Sequence, residues 1–255
     1  MFGVALLNRE GDSKVPENSR VVEESFASEA LAATMHLYSI PRHLAGEVDA
    51  LVVFPGLGED WRIVEAIRVW NKWVQEGRAG DKYFLLAGQN QNEKTWKRPD
   101  LARLEGFGML HAGRSNVRIQ EHADNTVGQV NFIVGRLDEE EIRSLALFVS
   151  PYHLLRAYLT LLRGVQKWLG ASDRSSGDTH PPVVMIPVPT VTPPYVVSPE
   201  VGRRCWDLVA GEYRRIQVYQ EKGDVALFSE LRAYLTLLWR FVFLPPSVKG
   251  FASVE

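Results

Sequence analysis

From residue 48 to residue 190 the chain alternates short, dense apolar runs with longer stretches in which apolar residues recur every three or four positions. The first run, VDALVVF at 48–54, is rich in β-branched residues and nearly free of polar interruptions, which predicts a strand covered on both faces. The turn Pro55-Gly56-Leu57-Gly58 follows, and from Trp61 to Val74 the residues Ile63, Ala66, Ile67, Trp70 and Trp73 share one helical side. The unit then repeats. Tyr83 to Ala87 predicts a second strand, Gly88 to Arg98 a polar loop, and a helix starts at about Pro99. Val117 to Ile119 predicts a short third strand with a helix from about Thr126 to Leu137 behind it. Leu145 to Val149 predicts a fourth strand, Ser150-Pro151 opens a helix to about Leu169, and Val183 to Ile186 predicts the fifth strand after the polar connection Gly170 to His180.

Adjacent parallel strands need long crossovers, so strand-helix alternation of this kind predicts an α/β, Rossmann-like doubly wound fold: a mostly parallel five-stranded sheet with helices on both faces. Val22, Phe26, Ala30, Leu31 and Met35 predict a leading amphipathic helix that Pro41 closes. Beyond the proline-rich PVPTVTPPYVVSP, the residues Cys205, Leu208, Val209, Ile216 and Tyr219 mark one helix and Phe228 to Phe241 another, turning at Lys222-Gly223-Asp224. Two helices bury too little surface alone, so this C-terminal helical hairpin is expected to pack on the core. The reading is a single domain over 1–255, with an α/β core at 48–190 and a helical extension at 198–244; disorder is expected only at the terminal tails and around Ala171 to Thr179.

The balance of 29 basic against 31 acidic residues gives a net charge of -2, which argues against nucleic acid as a partner. The one cysteine, Cys205, excludes an internal disulfide and cysteine-cluster metal sites, and fits a reducing compartment. The amino terminus MFGVALLNREGDSK lacks the layout of a secretory signal, and no apolar stretch approaches the roughly 20 residues of a spanning helix, so a cytoplasmic location without a membrane span is expected. No two of the six histidines fall at HxxxH or HExxH spacing, and the loop acids Glu59-Asp60 and Glu121 with Asp124 form no specific cation pattern, so no metal is expected.

In an open parallel sheet ligands bind beyond the carboxyl ends of the strands, and the residues just after each predicted strand are polar here. Gly56, Gly58 and Arg62 follow the first, Gly88, Gln89 and Asn90 the second, Glu121, Asn125 and Thr126 the third, and Ser150, Tyr152, His153 and Arg156 the fourth. Gly56 and Gly58 begin like a dinucleotide fingerprint, but Trp61 stands at the third glycine position, and no GxxxxGK[ST] loop exists. Both glycines serve equally as a tight turn or as a close backbone approach to a ligand. Ser150-Pro151 fits the cap and first turn of a helix, whose free amides suit a phosphate or carboxylate. In that turn His153 is a candidate hydrogen-bond donor or general base, the alternative being a half-exposed histidine without chemistry. Asn125-Thr126 reads as another helix cap, Glu121 as a candidate general base or a solvated acid, and Arg62 and Arg156 as anion grips or surface ion-pair partners.

The strand VDALVVF with its glycines and Arg62-Ile63-Val64-Glu65-Ala66, then Glu121 with Asn125-Thr126, and above all FVSPYHLLRA, together resemble the YdcF-like domain family, which includes the SanA and ElyC envelope proteins. The resemblance covers about residues 48–190 and implies that Gly56, Arg62, Glu121, Asn125, Thr126, His153 and Arg156 surround one pocket of a Rossmann-like fold. Gly128 and Gln129 stand where the family usually has an acidic residue and an asparagine, and AGQNQNEKTWKR replaces its short second crevice loop. In that family one soluble member binds S-adenosylmethionine, and membrane-anchored members are linked to envelope integrity and polyprenyl-phosphate carriers. Three functions are thus expected in turn: an enzyme acting on a nucleotide-like or phosphorylated small molecule, with His153 and Glu121 as its catalytic groups; a non-catalytic module binding S-adenosylmethionine or a nucleotide; and a peripheral envelope enzyme acting on a polyprenyl-phosphate carrier.

Overall fold

Five short apolar segments pair side by side in the computed structural model, which describes residues 17–171 and 183–243. The expectations for the amino-terminal tail, for most of the connection before the fifth strand and for the last residues lie outside that range. The strands are β1 (Ala50–Val53), β2 (Tyr83–Leu86), β3 (Val117–Ile119), β4 (Ser144–Val149) and β5 (Val184–Pro189). Every pairing is parallel, and the order is β3-β2-β1-β4-β5, a Rossmann-like doubly wound arrangement. The central strand β1 is buried at all four positions, which accounts for its unbroken apolar sequence.

The helices are α1 (Glu17–Ser39), α2 (Trp61–Gln75), α3 (Leu101–Gly106), α4 (Thr126–Glu139), α5 (Leu154–Ala171), α6 (Cys205–Glu221) and α7 (Phe228–Leu238). Right-handed crossovers carry α2 and α3 to one face of the sheet and α4 and α5, which pack together, to the other. The apolar side of α2 lays Trp70 edge-on against Phe84 of β2, 5.9 Å between ring centres. On the far side Tyr158 of α5 is fully buried and donates to the Met185 carbonyl of β5 at 3.0 Å.

The fifth strand runs three residues past the expected end at Ile186, through Pro187 and Pro189. It is an edge strand, and both prolines fall on the register whose N–H would point away from β4, so no ladder bond is lost. The outward N–H of Met185 is taken by Tyr234 Oη of α7 at 2.9 Å, and that hydroxyl donates to the Val183 carbonyl at 2.7 Å. The C-terminal hairpin thereby covers the sheet edge, and it turns where expected, at Gly223, whose φ of 71° is left-handed.

Candidate functional site

The strand order reverses between β1 and β4, whose outgoing chains diverge to opposite faces and leave a crevice. Beyond them lies a cavity of about 590 Å³, floored by Pro55, Gly56 and Arg62, walled by the start of α4 and by Tyr152, His153 and Arg156, and closed on its outer side by α6. The element that closes the site is therefore the first helix of the C-terminal hairpin.

The inner wall is a buried polar cluster centred on Arg62, which is 1% exposed. Its Nη2 is paired with the buried carboxylate of Glu59 and also donates to Tyr152 Oη at 3.1 Å. Nε donates to Ser150 Oγ at 2.9 Å, and Nη1 to the Phe54 carbonyl at 2.9 Å. Glu59 in turn accepts from the Ser150 hydroxyl and from Tyr152 Oη, the latter at 2.6 Å. Burial alone would lower the pKa of Arg62, but the Glu59 carboxylate outweighs it and holds the guanidinium charged. Burial, with Glu59 adding to it and Arg62 opposing, pushes the Tyr152 phenol far above its ordinary range, so it remains a neutral donor.

His153 sits beside this cluster, 7% exposed, in a single turn of 3-10 helix from Pro151 to His153 that precedes α5. Arg62 Nη1 approaches His153 Nδ1 at 3.4 Å, and since a guanidinium only donates, Nδ1 must accept. Burial first, then the charges of Arg156, Arg62 and Arg215, holds the imidazole pKa well below its ordinary value, which favours the neutral ring. That Nε2 is buried and has no hydrogen-bond partner among the described residues.

Arg156 reaches the cavity from α5, but its Nε and Nη2 grip the carboxylate of Glu212 on α6, and Nη1 donates to Thr126 Oγ1 at 2.9 Å. Glu212 is buried and also accepts from Arg215. The pair fastens the outer wall to the core. Asn125 caps α4 as expected, accepting from the Gly128 amide at 3.0 Å, and Thr126 and Val127 of the first turn line the cavity.

Four expected site residues lie off the cavity. Glu121 is 77% exposed on the outer surface, where it pairs with Arg98 at 3.3 Å, so its role as a pocket base is not supported by its position. Ser150 does not cap its helix; its hydroxyl is turned inward to Glu59 and Arg62. Gly58 has a φ of 71°, and a Cβ there would lie 2.8 Å from Thr95 Cβ; a Cβ on Gly88 would lie 2.3 Å from the His122 carbonyl carbon. Both glycines permit loop packing. Gly56, Arg62, Asn125, Thr126, Tyr152, His153 and Arg156 are brought together.

Three residues that the sequence reading left without a role shape the site. Glu59 holds Arg62, Glu212 holds Arg156, and buried Gln129 donates from Nε2 to the carbonyls of Pro55 and Gly88 at 3.1 and 2.7 Å, bracing the loops after β1 and β2. Among the described residues no three His, Cys, Asp or Glu side chains cluster as ligands for a metal, and no helix is long and apolar enough to cross a membrane.

Fold and site together define a doubly wound α/β protein with a polar cavity at its switch point. No protein-family model matches the chain, and no curated protein matches it.

Proposed function

We propose that this protein binds a phosphorylated, nucleotide-like small molecule in the switch-point cavity, with His153 Nε2–H donating to an oxygen of the ligand. The observation that carries this reading is the buried, unpartnered Nε2 of His153, a residue of the cavity lining, because a buried polar atom without a partner costs about 1–3 kcal/mol and a ligand oxygen would remove that cost. The start of α4 adds amides that have no acceptor within the helix, suited to a phosphate. At the rim, Arg203 and Arg214 of the cavity lining have no ion-pair partner among the described residues, and Asp207 and Asp224 supply carboxylates of the kind that accept ribose hydroxyls. This assignment accords with the YdcF-like resemblance, and we propose that the chain is a member of that family.

Turnover is the second reading, favoured by the neutral imidazole itself: an N–H at that position stabilises charge developing on a phosphoryl or carbonyl oxygen. His153 is then an electrophilic donor, and the structure provides no acceptor site on it for a substrate proton.

Thermal unfolding against adenosine nucleotides, S-adenosylmethionine, sugar nucleotides and a polyprenyl-phosphate analogue tests the proposal. A ligand at about 100 times its Kd adds roughly 2.7 kcal/mol, which raises Tm by about 5–10 °C in a chain of this size. The shift is expected for nucleotide-like compounds and is expected to fall to about half or less at the same ligand concentration in His153→Ala. No shift from any phosphorylated compound would overturn the reading.

A further inference from the structure

We propose that Arg62, anchored by Glu59, is a positioning residue that holds His153 in the Nε2–H tautomer and so makes the cavity select ligands presenting an unprotonated acceptor, a phosphoryl or carboxylate oxygen. The statement about ligands rests on the binding function proposed above; the statement about the tautomer does not.

The geometry allows Nδ1 no other role. Arg62 is fixed from four directions, by Glu59, Ser150 Oγ, the Phe54 carbonyl and Tyr152 Oη, so its Nη1 stays aimed at Nδ1. The histidine amide is engaged by the Ser150 carbonyl at 2.9 Å, which sets the ring's base, and the Tyr152 ring lies nearly parallel to the imidazole at 24°. Charged groups face the ring from three elements: Arg62 on α2, Arg156 on α5 and Arg215 on α6, with the carboxylates of Glu59 and Glu212 taken up by those arginines. A second proton on the ring would meet the Arg62 guanidinium head-on. Glu59 serves the same end indirectly: it offsets the buried charge of Arg62 and leaves its fork directed at the ring.

The test is a long-range proton–nitrogen NMR spectrum of the histidine rings in the full chain, with His153 assigned by its loss in His153→Gln. The expected pattern is one protonated Nε2 and one bare Nδ1, unchanged from pH 8 to pH 6. A protonated Nδ1, or an imidazolium at pH 7, overturns the proposal whatever the protein binds. The second arm measures the Kd for adenosine 5′-monophosphate and for inorganic phosphate. His153→Gln keeps an N–H near the Nε2 position and is expected to stay within about threefold of the parent, whereas His153→Ala is expected to weaken binding by about 10- to 100-fold. Arg62→Lys keeps the charge without the fork and is expected to mix the two tautomers and weaken binding with it. If the parent binds neither compound while the Nε2–H pattern stands, the ligand reading falls and the positioning role survives. Equal affinity in His153→Ala and His153→Gln removes the selection that the tautomer is said to impose.

Discussion

The loops that leave β1 and β4 carry about the same polar residue types as those that leave β2 and β3, yet only the first set builds a buried, mutually bonded charged cluster. After β1 and β4, Glu59, Arg62, Ser150 and His153 are buried and bonded to one another. After β2 and β3, the polar groups mainly brace loop against loop: Asn90 Nδ2 donates to the Asp124 carbonyl at the cavity, buried Gln89 meets His122 through a backbone bridge, and Glu121 meets Arg98 in solvent. Sheet order explains the difference. The chains leaving β1 and β4 part to opposite faces and must line the gap between them, whereas those leaving β2 and β3 run side by side and bond mainly to each other, reaching the cavity only through Asn90, Glu93 and the turn into α4. Polarity beyond a strand therefore signals a site only where the topology opens a crevice.

The comparison breaks most visibly at Glu59. Replacing it with alanine leaves the Arg62 guanidinium charged and buried, and the Tyr152 and Ser150 hydroxyls without their acceptor. Removing one partner of a buried pair costs about 3–5 kcal/mol. For a chain of this size that corresponds to a Tm lower by roughly 6–20 °C. The matching change on the other side, Arg98→Ala, removes only an exposed ion pair and is expected to stay within about 1 kcal/mol. Equal losses in denaturant titrations of the two variants would show that the inner cluster is not the structural centre assigned to it.

What the sequence makes legible follows the same division. The strands β1, β2, β4 and β5 are visible as apolar runs because burial on both faces leaves no other pattern, half-buried β3 and the helices are visible from the alternation around them, and the cap at Asn125 is visible because its chemistry is local. The end of β5 is not: a proline normally stops a strand, and only the edge position, known once the strand order is known, lets Pro187 and Pro189 stay in it. Glu59 and Glu212 were hidden for a related reason, since each needs a partner distant in sequence or in the next turn. Glu212 did leave a trace. The apolar stripe of α6 runs through Cys205, Val209, Ile216 and Tyr219, and Glu212 occupies the vacant place in that spacing, where a carboxylate is tolerated only against a cation such as Arg156.

A smaller effect separates the two regions by pH. His153 is neutral in the folded chain, its pKa held below the ordinary 6.5 by burial and by Arg156, Arg62 and Arg215, and it regains the ordinary value on unfolding. The unfolded state therefore binds more protons below about pH 6.5, so this group leaves stability flat above that pH and lowers it as pH falls further. The slope is at most about 1.4 kcal/mol per pH unit for one proton. In His153→Gln this part of the acid slope should disappear from denaturant titrations between pH 6.5 and pH 5, while His122→Gln, on the exposed side of the comparison, should keep it. The same slope in both variants would mean that His153 titrates in the folded chain as an ordinary imidazole.

The smallest expected effect decides the most about the site. The family resemblance implies a place for Glu121 in the pocket, and the folded chain puts its carboxylate in solvent against Arg98, away from the cavity. An exposed pair of this kind contributes about 0–1 kcal/mol, so Glu121→Ala should change stability by no more than about 1 kcal/mol. It should also leave the Kd for any ligand that protects the protein within about twofold, because none of the cavity-forming contacts passes through residue 121. His153→Ala at the same ligand concentration provides the contrast. A tenfold loss of affinity in Glu121→Ala would mean that residue 121 folds over the crevice when ligand is present, joining Asn125 and Thr126 of the same loop, which already line it.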